Sequence, residues 1–141
     1  MAAGKRRERM ATWNDVSKIA LALPGVVEEP WGQLGTKAWK VAKKGFVWER
    51  PLRKSDLAAL GAKAPTGAIL GVRTADLEMK EALLASDPAV FFTTPHFDGY
   101  PAVLVRLGKI RVAALRDVIL DAWLARAPAK LAAEYAKRSS S

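Results

Sequence analysis

The 141-residue chain has no cysteine and only one histidine. The first absence excludes disulfides, thiolate metal sites and cysteine nucleophiles together, and it suits a reducing compartment. With one imidazole and no thiolate, a metal would fall to carboxylates. No acidic cluster has the spacing of a calcium loop, so no metal site is expected. Long apolar runs are missing too: nothing approaches the roughly 18 consecutive apolar residues of a membrane span. The basic N-terminus is not followed by the apolar core of a signal peptide, and the expectation is a cytoplasmic protein without membrane contact. Gly61, Gly67 and Gly71 share a short stretch but form neither GxxxxGK[ST] nor GxGxxG between a strand and a helix, so no phosphate loop is present. No serine has a recognisable nucleophile setting. The chain is therefore expected to be neither an enzyme nor a cofactor carrier.

What is there is a soluble single-domain composition: half the residues are apolar and mean hydropathy is neutral. The net charge is +9, unevenly spread. Lys5, Arg6, Arg7 and Arg9 precede Met10, which opens a second readable start, and Lys137 and Arg138 lie near the end. Without these ends and Glu8 the body holds 17 basic and 13 acidic residues. Residues 1–10 are read as a disordered basic tail that adds non-specific attraction to polyanions, and 11–138 as one domain.

Thr12 and Asp15 have capping-box spacing ahead of a helix carrying Trp13, Val16, Ile19, Ala20 and Leu23 on one face, ended by Pro24-Gly25. Val26 to Gly35, with Pro30, Gly32 and Gly35, reads as an irregular connection. Thr36 to Val41 and Phe46 to Arg50 alternate as two strands of a hairpin, with Lys43-Lys44-Gly45 as its turn. Trp39 and Val41 are expected on one face of the first strand, and Phe46 and Trp48 on one face of the second. Ser55 and Asp56 could cap a single turn, Leu57 to Leu60. Ala68 to Thr74 is an apolar strand, Asp76 to Ala85 a helix, and Val90 to Thr93 a short strand. The loop Thr93 to Pro101 runs into a strand, Ala102 to Leu107. Val112 to Ala127 has the strongest helical stripe, and Ala129 to Lys137 follows Pro128 as a last helix. Helix, hairpin, strand, helix, strands and two helices predict an α+β two-layer sandwich. In it, an antiparallel sheet is covered by the N- and C-terminal helices.

Two sets of residues could carry function. Lys37, Lys40, Lys43, Lys44, Arg50, Arg53 and Lys54 fall within eighteen positions, opposed there only by Glu49. A ribbon with a lysine-rich tip fits phosphate contact, and equally a solvated edge that lysine protects from aggregation. Arg73 and Arg106 could add to it from neighbouring strands. The second set is aromatic. Trp13 and Trp123 lie on apolar helix faces and belong to the core. Trp39 and Trp48 either pack across the sheet, the stronger reading, or stack on a flat ligand. Trp31 could line a pocket with Phe97 and Tyr100, and Thr94 and His96 would be its polar anchors. Asp98 stands two residues from His96, but without a nucleophile or metal partner the histidine is expected to fix loop backbone by hydrogen bonding rather than to act as a base.

Three stretches together resemble the MmcQ/YjbR family of small bacterial proteins: Trp13-Asn14-Asp15-Val16 with Ala20 to Val26; Lys37-Ala38-Trp39-Lys40; and Asp87 to Val105, which contains Phe91-Phe92-Thr93-Thr94-Pro95-His96-Phe97-Asp98-Gly99-Tyr100-Pro101. Ala122-Trp123 through Pro128, Leu131 and Tyr135 extend the likeness, which spans roughly residues 11 to 136. The resemblance implies a two-layer α/β fold shared with secretion chaperones and frataxin-like proteins. It also implies the DNA-binding label that such proteins carry by analogy with a double-wing domain, but no catalytic residue or cofactor. The leading expectation is a non-enzymatic DNA-binding protein using the basic hairpin. The alternatives are a small-molecule binder with an aromatic cleft near His96, family members being found near natural-product genes, or a protein–protein module. A monomer or weak dimer is expected.

Overall fold

The computed structural model describes residues 9–31 and 35–140. Most of the basic tail, residues 1–8, and Gly32 lie outside the described residues. Six strands form one antiparallel sheet: β1 (Val26–Trp31), β2 (Thr36–Val41), β3 (Lys44–Glu49), β4 (Ile69–Arg73), β5 (Phe91–Phe92) and β6 (Ala102–Arg106), in spatial order β1-β2-β3-β4-β6-β5. Five helices accompany it among the described residues: α1 (Trp13–Leu21), α2 (Lys54–Leu60), α3 (Leu77–Ser86), α4 (Val112–Arg126) and α5 (Ala129–Ser140). The expected α+β sandwich is the observed fold, with helices from both ends of the chain on one face.

Cross-strand register explains the two faces. Glu28, Trp39, Val47, Val72 and Val103 stand opposite one another in a row across five strands. Successive residues of a strand point to opposite faces. The adjacent row, Ala38, Trp48, Gly71, Leu104 and Phe92, therefore faces the other way. Trp39, Val47, Val72 and Val103 join Val16, Leu115, Ile119 and Trp123 in the main core beneath α1 and α4. Trp39 is 1 % exposed and stacks on Trp13, ring centroids 6.4 Å apart. The Trp123 indole N–H donates to the Pro24 carbonyl (3.1 Å), and its ring meets Tyr135 of α5. Gly25 is needed where that helix closes in: its φ is +71°, and a Cβ there would lie 2.8 Å from Leu131 Cδ1.

Four local expectations change. Val26 to Trp31 is a strand rather than an irregular connection. Pro30 is tolerated because β1 is an edge strand, where a missing N–H breaks no inner ladder. The hairpin turns at Ala42-Lys43, both at positive φ (50° and 68°), so Lys44 and Gly45 belong to β3. Trp39 pairs with Val47 and Lys40 with Gly45, which leaves Phe46 as the extra residue of a bulge. Phe46 thereby joins Val47 in the main core, on the face away from Trp48. Helix α2 begins at Lys54, earlier than expected, and Asp56 caps it from within by accepting the Arg53 N–H (2.8 Å).

At the N-terminal end, Thr12 and Asp15 form the expected capping box. Arg9 and Met10 are tied to the domain. Arg9 pairs with Asp15 (2.6 Å), its carbonyl accepts the Val112 N–H, and Met10 bridges Arg111. The Arg9 hydrogen bond draws the Asp15 carboxyl down to about 2. Partial burial opposes it, and the Thr12 N–H and hydroxyl assist. No helix among the described residues is long and apolar enough to cross a membrane.

Candidate functional site

The second face of the sheet is only partly covered. Ile69, Phe92, Ala102 and Leu104 form a small cluster there with Phe97, flanked by Leu52 and Leu60. The Trp48 indole covers its cross-strand partner Gly71, leaving no room there for a Cβ. A bulkier residue in β4 would lift this ring. The Trp31 ring covers Gly45 in the same way, with a notional Cβ 2.5 Å from Cζ3. The two indoles meet at 5.6 Å with planes inclined by 49°. Both glycines thus exist to seat tryptophans.

Beside these rings opens a cavity of about 690 Å³. Trp31, Gly45 and Trp48 line it together with His96, Phe97, Asp98, Gly99 and Tyr100. Glu49, Arg53 and Arg126 supply charge. Trp31 is 43 % exposed; its ring rests on Gly45 and has the Lys40 Nζ 5.7 Å from its centre.

The loop lining the cavity is held from below by buried polar groups. Thr94 leads into a 3₁₀ turn, Pro95–Phe97, and Gly99 at φ +74° lets the chain reverse towards β6. Arg50, 6 % exposed, pairs with Asp56, 2 % exposed, at 3.0 Å. Its guanidinium also lies 5.3 Å from the centre of the Phe97 ring. Burial by itself pushes the Asp56 carboxyl up. The Arg53 N–H and the Arg50 charge oppose it, and the group lies below the usual carboxylate range. From α3, buried Lys80 donates to the carbonyls of Phe97 (2.6 Å) and Tyr100 (2.9 Å). Burial lowers the pKa of Lys80, against the opposing charges of Asp98 and Glu81. Arg73 lies over the Tyr100 ring at 5.3 Å and donates to its hydroxyl (3.2 Å).

The aromatic set is thus largely brought together: Trp31, Trp48, His96, Phe97 and Tyr100 line one cavity. Trp39 does not, because register turns it into the main core. Thr94 is buried beneath the loop and does not line the cavity. His96 is exposed, edge-on to Phe97 at 4.9 Å. Among the described residues it makes no hydrogen bond to the loop backbone; Lys80 has the role expected of it.

The basic set is dispersed. Arg50 is buried against Asp56 and unavailable to a phosphate. The strand β1 places two acids beside the hairpin: Lys40 pairs with Glu29 at 3.2 Å, and Lys37 lies 3.8 Å from Glu28. Arg106 sits 4.4 Å from the Phe92 ring centre and donates to the Pro88 carbonyl. Arg73 is held at Tyr100. Lys43 and Lys44 at the turn, with Arg53 and Lys54, remain exposed. No group of three His, Cys, Asp or Glu side chains among the described residues could hold a metal.

Two of the supporting residues had a readable signal. Lys80 stands three and four positions before Leu83 and Leu84, on the inward side of its helix, where a lysine is out of place unless it has a buried partner. Asp56 stands three residues after the position that proves to be the helix N-cap. Arg126 had none: only the tertiary fold brings the end of α4 to this cavity.

An antiparallel sheet closed on one face by terminal helices, with an aromatic hollow on the other, makes this a small α+β protein. The YjbR family model matches residues 21–125, and the chain belongs to that family. It is 49 % identical over 133 residues to the uncharacterized protein Rv2570 of Mycobacterium tuberculosis strain H37Rv, covering 92 % of this chain and 99 % of that one. The uncharacterized protein Mb2600 of Mycobacterium bovis is equally similar over the same extent. Among solved structures, the fold is similar to that of Deinococcus radiodurans protein DR2400, of family-model domain DUF419. The TM-score is 0.60 at 20 % identity, over 82 % of this chain and 78 % of that one.

Proposed function

We propose that this chain is a small-molecule-binding protein that holds a planar ligand in the cavity between the Trp31–Trp48 pair and the Thr94–Tyr100 loop. One observation carries the reading: two tryptophans seated on glycines line the same cavity of about 690 Å³ as Phe97 and Tyr100. That volume lies within the roughly 300–1,000 Å³ typical of ligand pockets. The exposed part of the Trp31 indole rewards stacking on a flat, polarizable body. Lys80, Arg50 and Asp56 fix the loop in advance, which reduces the ordering cost of binding. The reading assigns binding and no turnover.

The rival is DNA contact through the hairpin tip, favoured by the exposure of Lys43 and Lys44. The pairing of Lys37 and Lys40 with β1 and the burial of Arg50 leave that surface less basic than the sequence suggested. Calorimetric titration with naphthalene-2-methanol and 2-naphthoate, beside anisotropy titration of a random duplex at two salt concentrations, separates the two. Saturable binding of at least one naphthalene, lost about tenfold in Trp31→Ala, is expected if stacking supplies its usual ~1–3 kcal/mol. No naphthalene binding, together with salt-sensitive duplex binding that Lys43→Gln and Lys44→Gln weaken, would transfer the function to the hairpin.

A further inference from the structure

Two acids, Glu49 and Asp98, line the cavity, and Glu49 accepts the Lys37 backbone N–H at 2.6 Å. Arg50 is neutralised by Asp56. Arg53 and Arg126 also line the cavity, and neither has a carboxylate at ion-pairing distance among the described residues. The Arg126 Nε is buried without a hydrogen-bond partner. A buried N–H of this kind is costly unless an acceptor meets it. Position in the last turn of α4 accounts for a cation there, since carbonyls at a helix C-terminus favour positive charge. It does not account for a buried Nε–H left unmatched in a residue that lines the cavity.

Resting on the reading of this cavity as a ligand site, we infer that its ligand is a planar aromatic oxyanion, a carboxylate by preference. The ring system stacks at the Trp31–Trp48 pair, and the anionic group is received by Arg126, with Arg53 as a second cation. A guanidinium offers N–H groups in a planar fork that matches the two oxygens of a carboxylate, which a lysine cannot do.

The test is a charge series on one ring: 2-naphthoate, naphthalene-2-methanol and 2-naphthylmethylammonium, titrated calorimetrically at a pH where the acid is ionised. The three should bind in that order, with naphthoate ahead of the alcohol by roughly ten- to a hundredfold, the range for a hydrogen-bonded charge. Arg126→Gln should remove most of that gap, weakening naphthoate far more than the alcohol, and Arg126→Lys should restore it only in part. Lys44→Gln, which removes a charge outside the cavity, should leave the gap intact and so excludes general attraction to a basic protein. Equal binding of all three overturns the oxyanion inference and leaves the cavity reading standing. Tightest binding of the ammonium assigns the site to Glu49 and Asp98 and overturns it too. An Arg126→Gln variant that loses alcohol and naphthoate alike makes the residue a wall of the cavity and not an anion receiver. If none of the three binds, the cavity reading falls with the inference.

Discussion

The two faces of this one sheet are built on different physics. The helix-covered face is closed by apolar contact: Trp39, Val47, Val72 and Val103 run across it beneath Leu115, Ile119 and Trp123. The open face carries a smaller apolar cluster and two rings resting on glycines, and its loop is held by a buried ion pair and a buried lysine. Apolar burial is non-directional and adds with area, so it suits the face that keeps the chain folded. Buried polar groups are directional and stabilise little beyond their own desolvation, but they fix a geometry. A sheet can therefore leave one face open for a ligand without risking the fold, provided the other face carries the stability.

That division predicts a graded series of effects. Trp123→Ala should be the largest: about 3–5 kcal/mol of global stability, from a lost ring and the cavity it leaves, measured by denaturant unfolding. Asp56→Asn should cost about 3 kcal/mol, because it strands the Arg50 charge in the interior. Hydrogen exchange should show that cost concentrated in α2 and the 94–100 loop, whereas Trp123→Ala raises exchange everywhere. Equal, global loosening by both variants would make the open face a second core and break the comparison. Gly45→Ala should be milder, about 1–2 kcal/mol by overpacking, since its Cβ must displace the Trp31 ring. Its larger effect should appear in naphthoate affinity, read by calorimetry. The smallest effect belongs to pH. Asp15 has a carboxyl held down to about 2 in the fold, below the ~4 of an unfolded aspartate, so its contribution is present above that higher value. It is lost as the pH falls through about 2. Thermal unfolding of Arg9→Ala should show a weaker acid dependence over that window than the parent chain.

How much of this the residues revealed follows the same division. The helix-covered face was legible because the pattern reports it: the stripes of α1 and α4 carry their own burial pattern, and the unbroken apolar runs of β4 and β6 mark strands covered on both faces. The open face was legible only in its residue types. The aromatic loop and Trp31 could be singled out, but which tryptophan faced which way depended on a bulge at Phe46 that alternation cannot foresee. Strand β1 was hidden by Pro30, and with it the acids Glu28 and Glu29 that answer the hairpin lysines. The basic cluster counted along the chain was thus a poor guide to the charge in space. Arg50 is the clearest case: one of seven basic residues in the sequence count, it is a buried structural cation in the fold.

The most direct measurement uses the five tryptophans as reporters, through their indole N–H resonances in a ¹H–¹⁵N correlation spectrum recorded during a 2-naphthoate titration. Trp31 and Trp48 stand at the open cavity. Trp39 and Trp123 are buried on the other face with their N–H groups bonded to Glu28 and Pro24, and Trp13 stacks on Trp39. The account predicts saturable shifts of the first two resonances and none of the other three. Shifts confined to Trp13, Trp39 or Trp123, or no indole shift at saturating ligand, would contradict it.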